Sequence, residues 1–391
     1  MELCLPLPVQ KALDLLTNAG HEAYLVGGCV RDALRGIVPH DYDIATSALP
    51  DQTLAVFGDY RTIATGMRHG TITVLIEGMS IEITTYRVDG EYADHRRPDE
   101  VHFTSSLIED LARRDFTINA MAYHPDHGLI DPFSGQKDLS SGILRAVGEP
   151  LVRFSEDALR ILRALRFSAR FEFCIEENTA AALRTLADTL SFVAPERVRE
   201  EFFGILMADA ADCVIAEYKD ILGVVVPQGA PTVSLSRFPS DDIVVRLAEY
   251  FASVGESEAK SSLLALRCDN KTILAVCRTL CVYQSEIKGE RECICRLLRK
   301  VGEASLRKGL FLRRIHGLED SRAIALMENI LATDFPYTPS MLAVGGEDLV
   351  ALGVPRGPSI GNLLEILYTA AVCGDVENKK EKLLDYIKRY I

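Results

Sequence analysis

The chain has 391 residues and a formal charge of −13, a length that implies two or more domains rather than one small core. No run of about 18 uninterrupted apolar residues occurs, which excludes a helical membrane span. Net acidity at first argues against a nucleic-acid partner but does not exclude one, because local patches bind phosphates and totals do not. The opening MELCLPLPVQKALDLL has no basic n-region and no small-residue cleavage site, so no signal peptide is expected. The ten cysteines are scattered and read as free thiols of a cytoplasmic protein.

Along the chain, AYLV (23–26) reads as a strand, Gly27-Gly28 as a turn, and the run through VRDALRG as an amphipathic helix. In HDYDIAT, Asp41 and Asp43 stand at i and i+2. On a strand that spacing turns both side chains to one face and sends Tyr42 and Ile44 to the other, toward a core. TITVLI (71–76) and SIEITTY (80–86) read as a hairpin turning near Glu77-Gly78. Residues 87–101, RVDGEYADHRRPDEV, are polar and turn-rich. LIEDLARRDFTINAMAY and EDALRILRALRFSAR both carry helical periodicity, and from about residue 105 the pattern stays mostly helical. Pro227, Pro231 and Pro239 mark a boundary within the helical part. The expected fold is α+β: a small mixed head followed by an elongated, all-helical remainder.

Two carboxylates side by side repel unless a cation sits between them. Mg²⁺ suits them, with hard oxygen ligands and phosphate oxygens to complete its shell. Glu82 lies in SIEITTY with Ile81 and Ile83 on the opposite face, and is the natural third carboxylate. Two ions ~3.5–4 Å apart would serve phosphoryl chemistry. A lone D-x-D reads more often as a solvated turn. Here a Gly-Gly strand-to-helix turn stands upstream, able to hold a triphosphate on backbone N–H groups and a helix N-terminus, with Arg31 in the first helical turn. The turn is neither G-x-G-x-x-G nor a Walker A sequence.

LVGGCVRD, HDYDIATSALP, HGTITV, IEITTYR, RRDFTINAMAY, DPFSGQKDL and EDALRILRALRF follow one another over residues 23–170. In order and spacing they resemble the class II tRNA nucleotidyltransferases and their bacterial poly(A) polymerase relatives. VGGEDLVALGVPRGPSIGNLLEILY (344–368) is similar to that family's C-terminal helical segment. The resemblance implies a β-polymerase-like nucleotidyltransferase head at 1–142, neck helices that recognise the base at 143–212, and a helical body and tail that bind tRNA at 213–391. It implies Mg²⁺ on Asp41 and Asp43, with Glu82 as a further catalytic carboxylate. It also implies nucleotide contacts from Gly28, Arg31 and Arg114, and a pocket lined by Asp157, Arg160, Arg163 and Arg166. CTP, ATP and tRNA are the implied partners; no DNA and no membrane are expected.

On a continuous helix through EDALRILRALRF, Ala158, Ile161, Leu162 and Leu165 share the packing side, and Asp157 and Arg160 are i, i+3 neighbours able to pair. An Asp accepts from an exocyclic amine, and an Arg donates to a ring nitrogen or carbonyl. Cytosine and adenine offer that combination; uracil and guanine set a carbonyl against the carboxylate. A good base contact discriminates by roughly 1–3 kcal/mol. Taken alone the helix reads as a salt-bridged surface helix. The resemblance implies addition of C, C and A to the tRNA 3′ end with release of pyrophosphate. The alternatives are A-only addition or a poly(A) polymerase. The polymerases usually carry basic residues after the first strand, where this chain has LVGGCVRD.

In the family, residues 87–101 are the loop tied to switching from C to A; the residues alone read equally as a mobile connection. Between Arg296 and Arg314 stand seven Lys/Arg and one Glu, and residues 379–391 hold five Lys/Arg and two acids. Both read equally as a grip on the tRNA backbone or as solvated helix faces. Cys277, Cys281, Cys293 and Cys295 read as buried thiols rather than a zinc site. His40-Asp41 has no accompanying His/Asp set, and no phosphohydrolase activity is expected.

Overall fold

Short β-branched runs in the first part of the chain build a seven-stranded sheet, and nearly all that follows is helix. The structure, a computed structural model, describes residues 3–89, 101–227, 229–333 and 335–391. The chain divides into two units, Met1–Pro227 and Gln228–Ile391, and the division falls at the first of the three prolines read as a boundary.

In the first unit, helix α1 (Leu7–Asn18) precedes strand β1 (Ala23–Val26) and helix α2 (Gly28–Leu34). Then come β2 (Tyr42–Thr46), α3 (Pro50–Val56), β3 (Arg61–Ile63), β4 (Thr71–Ile76) and β5 (Met79–Thr85). A small hairpin, β6 (Arg87–Asp89) with β7 (Val101–Phe103), leads to α4 (Leu107–Ala112), β8 (Ala122–His124) and β9 (Gly128–Ile130). The sheet order is β3-β4-β5-β2-β1-β8-β9. β2 and β5 run parallel, in a register that sets Asp43 beside Glu82; the other neighbours are antiparallel. The β4–β5 turn has Glu77 and Gly78 at φ +50° and +85°, the double left-handed geometry that suits strand twist in a two-residue hairpin.

Alternation decides which side faces the core. Ile72, Val74 and Ile76 of β4 and Ile81 and Ile83 of β5 are buried, with Leu13 and Leu16 of α1 against the same cluster. Each fully buried aliphatic side chain contributes about 1.5–3 kcal/mol. Tyr42 and Ile44 are buried as expected, which leaves Asp43 on the opposite face.

Three expectations need correction. LIEDLARRDFTINAMAY is not one helix: α4 stops at Ala112, a short 3₁₀ turn spans Thr117–Asn119, and Ala122–His124 is β8. All three β8 residues are buried, so the strand has no polar face to alternate. EDALRILRALRF is not continuous either. α5 (Gly135–Ser141), β10 (Ile143–Leu144) and α6 (Pro150–Glu156) come first, then Asp157 is extended at φ −140°, ψ 103°, then α7 runs Leu159–Phe171. The side chain of Asp157 explains the break: its Oδ1 accepts from the Leu159 N–H at 3.0 Å, an Asx-type contact that competes with helix. Thirdly, Asp41 precedes β2 and lies in a bend, so only Asp43 is on the strand. Of the loop read at 87–101, residues 90–100 lie outside the described residues.

The unit continues with β11 (Cys174–Ile175), which pairs with β10, then α8 (Glu177–Thr185), α9 (Pro195–Leu206), α10 (Ala211–Glu217) and α11 (Lys219–Val225).

Among the described residues the second unit contains nine α-helices, from α12 (Ile243–Tyr250) to α20 (Lys380–Ile387). Its core includes Leu298, Leu306, Leu349, Leu367 and Leu383. Cys277, Cys293 and Cys295 are buried while Cys281, also read as buried, is only half-buried, and all ten cysteines are free thiols. Much of the basic run at 296–314 is already neutralised within this unit. Arg299 pairs with Glu365, Arg307 with Glu303 and Glu328, Lys308 with Asp242, and Arg313 with Asp320. In the last segment Lys379, Lys380 and Lys388 pair with Glu377, Asp348 and Asp385. No helix among the described residues is long and apolar enough to cross a membrane.

Candidate active site

A cleft of about 880 Å³ in the first unit gathers all ten residues singled out in the sequence: Gly28, Arg31, Asp41, Asp43, Glu82, Arg114, Asp157, Arg160, Arg163 and Arg166. Arg87, Arg113, Arg170 and Arg197 also line it, so nine arginines meet five carboxylates in a chain whose overall charge is −13.

At the sheet end stand the carboxylates. Asp43 and Glu82 are lateral neighbours on parallel strands, and Asp41 is two residues before Asp43. Burial pushes the Asp43 carboxyl up to about 6; Glu82 and Asp41 push the same way, and Arg114 only partly opposes them. An added cation would relieve this crowding of negative charge. Among the described residues no three or more His, Cys, Asp or Glu side chains gather closely enough to hold a metal unaided. Oxygen donors of this kind suit a hard divalent ion, with water and phosphate oxygens to fill its remaining positions.

Above the carboxylates, Gly27 caps α2 at φ +73°, ψ −130°. A side chain there would be strained, and a Cβ would lie 3.0 Å from Arg114 Nη1. Glycine thus lets Arg114 close on the turn. Arg114 Nη2 donates to Asp110 at 3.0 Å, while its buried Nε has no hydrogen-bond partner among the described residues, a donor that a ligand could satisfy. Burial would raise the Asp110 carboxyl, but Arg114 and Arg113 hold it below the usual range.

A polar chain then crosses the cleft wall. Arg31, 5% exposed, donates from Nη1 to Asn119 Oδ1 at 2.6 Å. Asn119 Nδ2 donates to Asp115 Oδ1 at 3.1 Å, and Arg163 donates to Asp115 Oδ2 from Nε and Nη2 at 2.8 and 2.6 Å. Burial opposes ionisation of Asp115, yet Arg163, Asn119 and Arg160 hold its carboxyl at about 2. Arg166 donates from Nε to Glu201 Oε2 on α9 and lies 4.5 Å over the Phe167 ring. Gly204 makes room for it, since a Cβ there would sit 2.3 Å from Arg166 Cδ.

At the helix end, Asp157 and Arg160 share the cleft but do not pair with each other, contrary to the helical reading. Asp157 Oδ2 accepts from Arg197 Nη2 at 2.9 Å. Arg160 donates from Nη1 to Glu156 (2.5 Å) and the Arg153 carbonyl (2.9 Å), and from Nη2 to the Arg113 carbonyl (3.1 Å). The break at Asp157 turns the two side chains to different partners. Sequence reasoning missed Asp115, Asn119, Glu156 and Arg197. The first three stand in quoted motifs; Arg197, forty residues beyond Asp157, gives no local signal.

Comparison with known proteins accords with this geometry. Residues 23–145 match the poly A polymerase head domain, 172–218 a probable RNA and SrmB-binding site of polymerase A, and 242–387 a putative tRNA nucleotidyltransferase domain 2. A CCA-adding enzyme of Streptococcus thermophilus is 36% identical over 98% of this chain and 98% of its own. One of Enterococcus faecalis is 35% identical over 95% and 92%. The solved Bacillus stearothermophilus CCA-adding enzyme in complex with CTP aligns at TM-score 0.80 and 29% identity, over 98% of this chain and 96% of that one.

Proposed function

The chain belongs to the family of CCA-adding enzymes, and on that premise we propose that its cleft adds C, C and A in turn to the 3′ end of tRNA, taking CTP and ATP and releasing pyrophosphate. The composition of the cleft is the main support. Crowded carboxylates suited to a metal and a base-reading Asp and Arg line one cavity rich in arginine.

Nucleotidyltransferases of this family depend on divalent metal, and here Asp41 and Asp43 would hold Mg²⁺ with Glu82 beside them. Bound there as a pair, Mg²⁺ would polarise the α-phosphate and ease loss of the proton from the attacking hydroxyl. The residues do the rest. The Gly27-Gly28 turn, Arg31 and Arg114 hold the triphosphate, with Arg114 Nε, unpartnered among the described residues, able to donate. The tRNA 3′-oxygen attacks the α-phosphorus in line, the bond to the bridging oxygen of the β-phosphate breaks, and pyrophosphate leaves against the arginines. Asp157 accepts from the exocyclic amine of cytosine or adenine, and Arg160 donates to the ring nitrogen. Arg163 and Arg166, anchored by Asp115 and Glu201, keep that wall in place. We assign chemistry to residues 1–142, base choice to 143–212 and tRNA binding to 213–391.

The test offers purified protein three tRNAs, ending before the first C, after the second C and after the terminal A, with labelled CTP or ATP. Addition of C, C and A followed by arrest is expected. Homopolymeric A tails, or no incorporation of C, would overturn the assignment in favour of a poly(A) polymerase or an A-adding enzyme.

A further inference from the structure

Asp157 is asked to do something difficult. It must present one acceptor geometry to two bases of different size, from a residue that sits between two helices rather than inside one. Its backbone is extended, and its carbonyl accepts from the Arg160 N–H at 3.0 Å, which holds the chain there but does not aim the carboxylate. Two contacts do. Oδ1 accepts from the Leu159 N–H at 3.0 Å, and Oδ2 accepts from Arg197 Nη2 at 2.9 Å. The first belongs to the local turn. The second comes from the first turn of α9, a separate element. Arg160, the residue that the sequence would pair with Asp157, is held by Glu156 and by the carbonyls of Arg153 and Arg113.

We propose that Arg197 is a positioning residue for base selection, which fixes the Asp157 carboxylate in the orientation that accepts an exocyclic amine and rejects a carbonyl. The inference rests on the proposed role of Asp157 in reading the base. Arg197 lines the cleft with its side chain 28% exposed, so its replacement buries no charge. A carboxylate oxygen accepts more than one hydrogen bond, so Arg197 can stay in place while a base amine binds. Without it, Asp157 keeps only the turn contact, and its free oxygen rotates away from the single productive direction.

The experiment measures kcat and KM for CTP, ATP and UTP on tRNA for the wild type, Arg197→Met, Arg197→Lys, Asp157→Asn and the double variant Asp157→Asn/Arg197→Met. Arg197→Met is expected to raise KM for CTP and ATP about tenfold, and to lower the CTP-over-UTP preference by a similar factor. Arg197→Lys is expected to recover most of that preference, because it restores the cation. If the two residues act as one unit, the double variant discriminates no worse than Asp157→Asn alone. An Arg197→Met enzyme that is slower yet keeps the full preference would overturn the inference, as would single effects that multiply in the double variant. If Asp157→Asn itself keeps the preference, the reading of Asp157 fails and this inference falls with it.

Discussion

At the sheet end of the cleft, Asp43 stands beside Glu82 and close to Asp41, with its carboxyl pushed up to about 6, and the positive charge nearest in effect, Arg114, is already paired with Asp110. At the helix end, Asp115 holds Arg163, Asp157 holds Arg197 and Glu156 holds Arg160. One end keeps repulsion that a metal would relieve; the other is satisfied before any nucleotide arrives. Removing a sheet-end carboxylate should therefore cost activity and spare stability, while removing a helix-end carboxylate should cost stability as well.

The largest effect is expected for Asp43→Asn. Nucleotide addition should fall about a thousandfold or more, because metal-assisted charge stabilisation is lost. Its metal-free unfolding free energy should hold or rise, by about 1 kcal/mol, because a crowded charge is gone. Primer extension and thermal unfolding together check this, and a large loss of stability would break the contrast. Next, Asp115→Ala should destabilise the protein by roughly 3 kcal/mol, since Arg163 and Asn119 lose a buried partner.

The same group sets an acid limb. Its folded value, about 2, lies below the ordinary 3.8. Its stabilisation is thus complete above about pH 4 and lost as pH falls toward 2. Asp115→Asn should remove that part of the acid destabilisation, read by denaturant unfolding between pH 2 and 5. Smaller again, Gly27→Ala should cost about 1–2 kcal/mol, from the positive φ and the approach of Arg114. Gly204→Ala is the mildest: Arg166 must shift, and KM for nucleotide should rise a few-fold at nearly unchanged stability, about 0.5 kcal/mol or less.

Legibility in the sequence follows the same division. The sheet end was readable because strands that are buried on one face alternate: Ile81 and Ile83 point inward and fix Glu82 outward, and Tyr42 and Ile44 do the same for Asp43. β8 was not, because all three of its residues are buried and no alternation survives. The helix end was readable in composition and misleading in geometry. A periodic pattern ran through EDALRILRALRF, while the Asp157 side chain took the Leu159 N–H and broke the helix beneath it. Local competition of this kind leaves no mark on periodicity. Arg197 and Glu201 reach the site only through the packing of α9 on α7, information that is tertiary from the start.

The cleft divides its labour: chemistry at the sheet end, base choice at the helix end. Single-turnover addition to tRNA ending before the first C, with CTP and with UTP, on Asp43→Asn and Asp157→Asn, tests this division most directly. Asp43→Asn is expected to slow CTP addition drastically with no gain in UTP use relative to CTP, while Asp157→Asn retains measurable chemistry and loses its preference for CTP by about ten- to a hundredfold. Equal loss of rate in both variants, with the preference for CTP intact in each, would contradict it.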